Sequence, residues 1–372
     1  MFSGVYMHIP FCRSRCSYCD FATDVYKNGE AVDRYVSALA KEIENFSAEK
    51  TIDTIYFGGG TPSLLAPKQL EKIFDSVRKN FSVTENSEIT MEMNPATVAL
   101  ETLKAYKSLG VNRASFGAQT FDDTELKRLG RRHTAADVRE TIELLRKADF
   151  ENVSFDLIAG LPRQTLEDWE RNLDEALKLK PEHLSLYLLE IHEATPLAEQ
   201  IRSGRQPSPD ENLAAEMYEL MLEKVSAKGY EQYEISNFCL PNFQSKHNSK
   251  YWTLDAVFGF GCSAHSFDGK NKRWANERDT LKYVELVEKT HSPIVQTDKI
   301  AAASEFVFLG LRLTKGIDLQ IYKNRFEVDL RKQYAEDLQR LAEFGLIEFD
   351  ENCLKLTEKG MIYSNEVFAV FV

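Results

Sequence analysis

Short runs rich in β-branched and aromatic residues alternate with longer runs of helical periodicity from the N-terminus to about residue 230. That alternation marks βα units feeding a parallel sheet. The short runs predict six strands: Val5–Ile9, Thr54–Phe57, Ile89–Met93, Arg113–Phe116, Asn152–Ile158 and His183–Leu189. Between them apolar residues recur every three or four positions, as in Tyr35, Leu39 and Ile43, or Trp169, Leu173 and Ala176. This period predicts helices with one buried stripe. Pro67, Asp122 and Thr165 fall at three helix starts, where a preset φ or a capping oxygen is useful. Six units predict an α/β fold built on a partial (βα)6 barrel of the TIM type rather than a full barrel of eight.

Beyond this the pattern changes twice. Gly204, Pro207, Ser208 and Pro209 predict a loop ahead of a last helix, Leu213–Lys228, which closes the barrel region at 1–230. Residues 231–296 read as a connecting region, with a strand-like Tyr233–Phe238, the run His247-Asn248-Ser249-Lys250-Tyr251-Trp252, and a glycine-rich stretch from Gly259 to His265. Residues 297–372 read as a separate unit. Helical patterns at Ala303–Leu313, Leu319–Phe326 and Leu330–Phe344 precede two short strands, Leu346–Phe349 and Cys353–Leu356. Three helices and a hairpin outline a winged-helix-like α+β domain. Asp350 and Glu351 place negative charge on its wing, which favours a docking or lid role over DNA binding.

Composition narrows the function classes. A length of 372 residues suits one large domain and a smaller one. A net charge of −12 argues against a protein that holds nucleic acid through its phosphates. Lys127, Arg128, Arg131 and Arg132 crowd one stretch, a pattern shared by solvated helix ends. No run approaches the ~18 apolar residues of a membrane span, and the N-terminus lacks the order of a signal peptide. The chain is therefore expected in the cytoplasm. Six cysteines, three of them clustered, suit a reducing compartment and a metal site.

Those three, Cys12, Cys16 and Cys19, form CxxxCxxC directly after the first predicted strand. Three thiolates at this spacing can hold three irons of a [4Fe-4S] cluster and leave the fourth iron open. A structural zinc would need a fourth donor close by, and neither Asp20 nor Phe21 is a suitable one. The other distinctive residues collect where strands end. Gly58-Gly59-Gly60-Thr61-Pro62 follows the second strand, Glu92 and Asn94-Pro95 close the third, Gln119 follows the fourth, and Asp156 lies in the fifth. In a parallel barrel these ends open on one face, together with the cysteine loop. A glycine triplet there lets a ligand approach the backbone. The GxGxxG and P-loop patterns are not matched.

The ordered set Tyr6 to Cys12, Cys16 to Phe21, Gly58 to Ser63, Glu92 to Pro95, Leu129 to His133 and Asp156 to Pro162 resembles the radical S-adenosylmethionine (SAM) superfamily. More narrowly it resembles the oxygen-independent coproporphyrinogen III oxidase-like branch, and the likeness continues through His247–Trp252 and Gly259–His265 to cover most of the chain. The resemblance implies that Cys12, Cys16 and Cys19 ligate the cluster while SAM chelates the fourth iron. It implies that Tyr6 and Tyr18 contact SAM beside the cluster, and that Gly59, Gly60 and Thr61 receive its methionine end. Glu92, Gln119, Arg131 and Asp156 match the polar residues around its sugar and amino-acid moiety. Carboxylates can accept from ribose hydroxyls, and an arginine fork can hold a carboxylate.

Within the branch, two departures point to its heme-chaperone side. The oxidase signature carries a further cysteine where this chain has Phe21, and a longer segment ahead of the first strand than the five residues before Tyr6. The chaperone side also carries HNxxYW, matched from His247 to Trp252. Imidazole is a common axial ligand of heme iron, so His247 is the candidate heme ligand. His8, His133, His183 and His265, and the thiols of Cys239 and Cys262, have less local support. The resemblance implies a chaperone that binds heme, passes it to an acceptor protein and draws on an electron donor. The rival is a coproporphyrinogen III oxidase that decarboxylates porphyrinogen propionates. A radical enzyme modifying nucleic acid is a third reading, against which the acidic balance counts.

Overall fold

A computed structural model of the chain describes residues 2–26, 28–46 and 50–372. In chain order the strands are β1 (Ser3–Ile9), β2 (Phe11–Cys12), β3 (Asp24–Val25), β4 (Lys50–Gly59), β5 (Phe81–Met93), β6 (Arg113–Gln119), β7 (Val153–Ala159) and β8 (His183–Leu188). Then come β9 (Glu231–Glu234), β10 (Asn237–Cys239), β11 (Val257–Phe260), β12 (His265–Phe267), β13 (Lys272–Asn276) and β14 (Ile294–Lys299). The C-terminal region adds β15 (Ile317–Asp318), β16 (Ile347–Phe349) and β17 (Cys353–Leu356).

All six predicted strands are present and pair in parallel, in the order β1-β4-β5-β6-β7-β8. The alternating side chains separate into two sets. Val5, Met7, Ile55, Phe57, Met91, Phe116, Phe155 and Leu186 join the main hydrophobic core with the surrounding helices. The opposite parity carries Tyr6, Tyr56, Glu92, Arg113, Asp156 and Tyr187 into the lumen of the half-barrel. Pro67 is the first residue of its helix, and Asp122 and Thr165 are N-caps whose side chains accept from backbone N–H groups, as the sequence predicts.

The region 231–296 is more than a connector. Its strands extend the same sheet at both edges, β10 and β9 beside β8, and β11 to β14 beside β1, to make twelve strands in all. The predicted strand Tyr233–Phe238 is instead a tight hairpin of β9 and β10. In the C-terminal unit the long helix Leu330–Phe344 is broken at Tyr334 into Leu330–Gln333 and Ala335–Glu343. A short β15 joins the hairpin to give a three-stranded sheet, β15-β17-β16, over a second hydrophobic cluster.

Candidate functional site

The cysteine loop leaves β1 at Pro10 and returns through β3, which pairs in parallel with β2. Backbone hydrogen bonds hold it from several sides: Asp24 N to Pro10 O at 2.8 Å, Ser17 N to Leu129 O at 2.9 Å, and Leu197 N to Ser17 O at 2.8 Å. His8 adds a side-chain anchor, with Nε2 2.8 Å from Ala22 O and Nδ1 3.1 Å from the Tyr6 hydroxyl. Both ring nitrogens of His8 are thus engaged.

The glycine triplet meets this loop edge to edge. Gly60 N donates to Ile9 O and Thr61 N to Phe11 O, both at 2.8 Å, while Gly59 N donates to Glu92 Oε2 at 3.1 Å. A Cβ at Gly59 would strike the His8 ring, and one at Gly60 would lie 2.7 Å from the Pro10 carbonyl. Glycine is required here so that β4 can approach the cysteine loop. The three amides of Gly59, Gly60 and Thr61 are spent on the loop and on Glu92.

All three thiols are free and half-buried. Thr61 Oγ1 lies 3.5 Å from Cys12 Sγ and accepts from Asn94 Nδ2 at 2.7 Å. Arg131 donates to Asn94 Oδ1 at 2.9 Å and to Gly117 O at 2.7 Å, and its Nη1 lies 3.5 Å from Cys16 Sγ. One polar chain therefore runs from Cys12 through Thr61, Asn94 and Arg131 to Cys16. Burial pushes the Cys12 thiol up to about 11 and raises that of Cys19. Iron displaces such protons on binding. A hydroxyl and a guanidinium aimed at sulfur are the groups that steady thiolates and tune a cluster. The donor set fits three irons of a [4Fe-4S] cluster. Asn94 was noticed in the sequence only as a strand end, and its bridging role follows from contacts that no spacing rule records.

Farther into the lumen, Glu92 accepts from the Tyr56 hydroxyl at 2.7 Å, and burial pushes it up to about 7. Asp156 is pushed up to about 6 by burial, which Ser185, Arg113 and Arg131 offset only in part. Gln119 sits at φ +66, folded back so that a Cβ at Gly117 would fall on its Nε2. A non-glycine residue in that region at a strand end is backbone strain of the kind that collects at functional sites. Tyr6 stacks on Tyr56 with centroids 6.1 Å apart, and Tyr18 packs with Leu129, Ile158 and Leu161 beside the cysteine loop. Arg113, 1% exposed, faces the same lumen with its Nε unpaired. Its parity with Ser115 and Gly117 along β6 was the available sequence signal.

Asp156 yields a prediction with a definite sign. Its folded-state value lies above the ordinary 3.8, so folding favours the neutral acid. That contribution is complete below about pH 4 and is lost as pH rises through about 6. Asp156→Asn should therefore melt with the parent at pH 4 and above it at pH 8, by on the order of 2 kcal/mol after discounting for partial exposure. Thermal melts at both values check this; an equal gap at both would remove ionisation as the cause.

His247, the candidate heme ligand, is buried against the barrel. It is the second residue of the helix Lys246–Trp252, is 1% exposed, and stacks on Tyr56 with centroids 5.0 Å apart. Its Nδ1 is 2.9 Å from Thr54 Oγ1 and its Nε2 3.2 Å from the Tyr251 hydroxyl. The helix is pinned by Glu88, which accepts from His247 N at 3.0 Å, and by Lys250, paired with Asp53 at 2.7 Å. Both imidazole nitrogens are hydrogen-bonded within the chain, and burial lowers the ring pKa to about 3. His183 is also fully buried with both nitrogens bonded, to Ser154 and Tyr233, and Cys239 and Cys262 are buried.

Residues 6–176 match the radical SAM superfamily, and residues 297–363 match the HemN C-terminal domain. The heme chaperone HemW of Bacillus subtilis is 38% identical over 99% of both chains. The chain belongs to the HemW heme chaperone family. The HemW of Escherichia coli is 31% identical over 99% of this chain and 98% of its own. A bovine relative, radical S-adenosyl methionine domain-containing protein 1, mitochondrial, is 33% identical over 96% of this chain and 85% of its own. Among solved structures, the coproporphyrinogen III oxidase HemN of E. coli superposes with a TM-score of 0.87 at 23% identity, covering 100% of this chain and 90% of that one. That likeness concerns the fold: a HemW family member shares the partial radical SAM barrel and C-terminal domain with HemN.

Proposed function

We propose that the protein is a heme chaperone that binds heme and hands it to acceptor proteins in the cytoplasm, and that it carries a [4Fe-4S] cluster and SAM. The observation that carries this reading is full-length similarity to HemW chaperones, joined to three thiols in one anchored loop at the open face of the barrel. Among the described residues no helix is long and apolar enough to cross a membrane.

Cys12, Cys16 and Cys19 would hold three irons. When bound, the cluster and SAM supply one-electron reductive chemistry at the open iron. The chain's own residues position and shield that site. Arg131 offsets negative charge at the thiolates, Thr61 and Asn94 fix their distance from β4, and Tyr6 and Tyr18 wall the site. Glu92, Gln119 and Asp156 face the space a SAM ribose and amino-acid moiety would take. Gly59 and Gly60 act through the backbone, by letting β4 and the cysteine loop close on each other.

Phe21, 67% exposed, occupies the position at which the oxidase pattern carries its additional cysteine. Anaerobically reconstituted protein given SAM, reductant and coproporphyrinogen III should form no protoporphyrinogen IX at turnover, and the same preparation should take up added hemin. Turnover of the porphyrinogen would overturn the chaperone reading.

A further inference from the structure

Of the basic run Lys127, Arg128, Arg131 and Arg132, only Arg131 turns inward to the cysteine site. The other three are exposed. The run closes the helix Asp123–Arg128 and then turns against the cysteine loop. Ser17 Oγ reaches Arg128 O at 3.4 Å, and a Cβ at Gly130 would stand 3.6 Å from Ser17 N and 3.7 Å from Arg15 O. Arg13 and Arg15 reach the same rim from the loop itself, and both are exposed. Arg13 and Arg132 line one small cleft of about 140 Å³ together with Cys16.

Segments 11–21 and 127–133 together hold six cations and one carboxylate, Asp20, in a chain whose net charge is −12. Among the described residues, none of the five exposed cations is in an ion pair, whereas Arg139 and Arg146, one helix further on, are paired with Glu175 and Glu182. The side chains of Arg15 and Arg128 reach only carbonyls, Cys19 O at 3.5 Å and Pro162 O at 3.4 Å. The adjacent acids serve the backbone instead: Asp122 caps its helix, and Asp123 accepts from Ala135 N at 2.8 Å. Cations crowded without counter-charge repel one another and project a local positive field from an otherwise acidic molecule. A solvated helix end accounts for Lys127 and Arg128, but not for Arg13 and Arg15, which a loop brings to the same place. Phe21, exposed two residues after Cys19, adds an apolar side chain to that loop.

We infer that this basic rim is the docking surface for an acidic protein that delivers one electron to the cluster. The inference rests on the cluster assignment of the proposed function and adds to it a class of partner and the place where it lands. What passes is a single electron, lost by the reduced carrier and gained at the cluster, with no bond made or broken. Opposed fields steer and orient such a partner, and the small contacts typical of redox encounters release it again. An acidic carrier is repelled by the overall charge of this chain, so the rim also selects the face on which it docks.

The test compares the reconstituted parent with the rim variant Arg15→Glu/Arg128→Glu/Arg132→Glu and with a control of equal charge change in the C-terminal unit, Lys315→Glu/Lys323→Glu/Lys332→Glu. The probe is a flavodoxin, an acidic flavoprotein, whose affinity for the full chain and rate of cluster reduction are measured anaerobically at low and high salt. Photoreduced deazariboflavin, a small uncharged reductant, reports reduction without docking. At low salt the rim variant should lose roughly tenfold or more in both flavodoxin affinity and reduction rate, and the loss should shrink at about 0.5 M salt. Its iron content, melting point and reduction by deazariboflavin should match the parent, and the control should stay within about twofold throughout. Arg128→Glu alone should show part of the same loss, which keeps the test open should the triple variant fold poorly. Equal flavodoxin binding and reduction in the rim variant and the control would overturn the docking surface while leaving the cluster and hemin uptake intact. A rim that binds vesicles of anionic phospholipid and not flavodoxin would overturn it as well, by making the surface a membrane contact. A parent that assembles no cluster would bring down both the docking surface and the assignment beneath it.

Discussion

Replacing any one of Cys12, Cys16 and Cys19 with serine is expected to abolish the cluster after anaerobic reconstitution, with iron falling from roughly four per chain to near zero. The alkoxide of serine is a harder and far more basic ligand than a thiolate, so it does not hold these irons. The loop itself should survive. Its shape is set by backbone bonds to Leu129, Leu197 and Pro10 that do not involve the thiols. Each variant should therefore melt with the apo parent while losing the cluster's visible absorption. A serine variant with normal iron and a normal spectrum would undo the ligand assignment.

Gly60→Ala should have the second large effect, without touching a ligand. The added methyl meets the Pro10 carbonyl carbon and oxygen at 2.7 Å and Phe11 O at 2.8 Å, which are backbone atoms that cannot rotate away. Relief requires β4 and the cysteine loop to separate, which breaks the Gly60–Ile9 and Thr61–Phe11 bonds and shifts Thr61 away from Cys12. The cost should be about 1–3 kcal/mol of stability, as for overpacking a filled core. Cluster occupancy should fall with it. Gly29→Ala, at the start of its helix, is the matching control, because among the described residues a Cβ there meets only the Tyr26 hydroxyl at 4.0 Å. Melting curves and iron content of the two variants side by side check the argument. Equal behaviour would show that the close approach is dispensable.

The six-stranded barrel was legible because its outward-facing residues form strong apolar alternation, and its helices carry regular stripes and caps. The edges of the sheet were not. β9, β10 and β12 are only three or four residues long, too short to show a period, and β10 joins the sheet by pairing with β8, about fifty residues earlier in the chain. Tyr334 fits the helical stripe on both sides of it, which hid the break between two helices.

The site divides in the same way. The CxxxCxxC spacing, the glycine triplet and the strand-end carboxylates are local patterns, and the structure brings them to one face. The bridge from Thr61 through Asn94 to Arg131 depends on three strands meeting, so no local pattern announces it. His247 shows the limit of a motif without burial. Beside Tyr251 and Trp252 it reads as a ligand, and the fold adds what the motif does not show, its burial and its bonds to Thr54 and Tyr251.

The most direct measurement of the central claim is transfer of heme from the loaded protein to an apo-hemoprotein, followed by the shift in Soret absorbance as the acceptor fills. The account predicts that the parent loads hemin stably and gives it up to the acceptor faster than it loses heme to buffer. Heme that is never bound, or that leaves at the same rate with and without the acceptor, would contradict it.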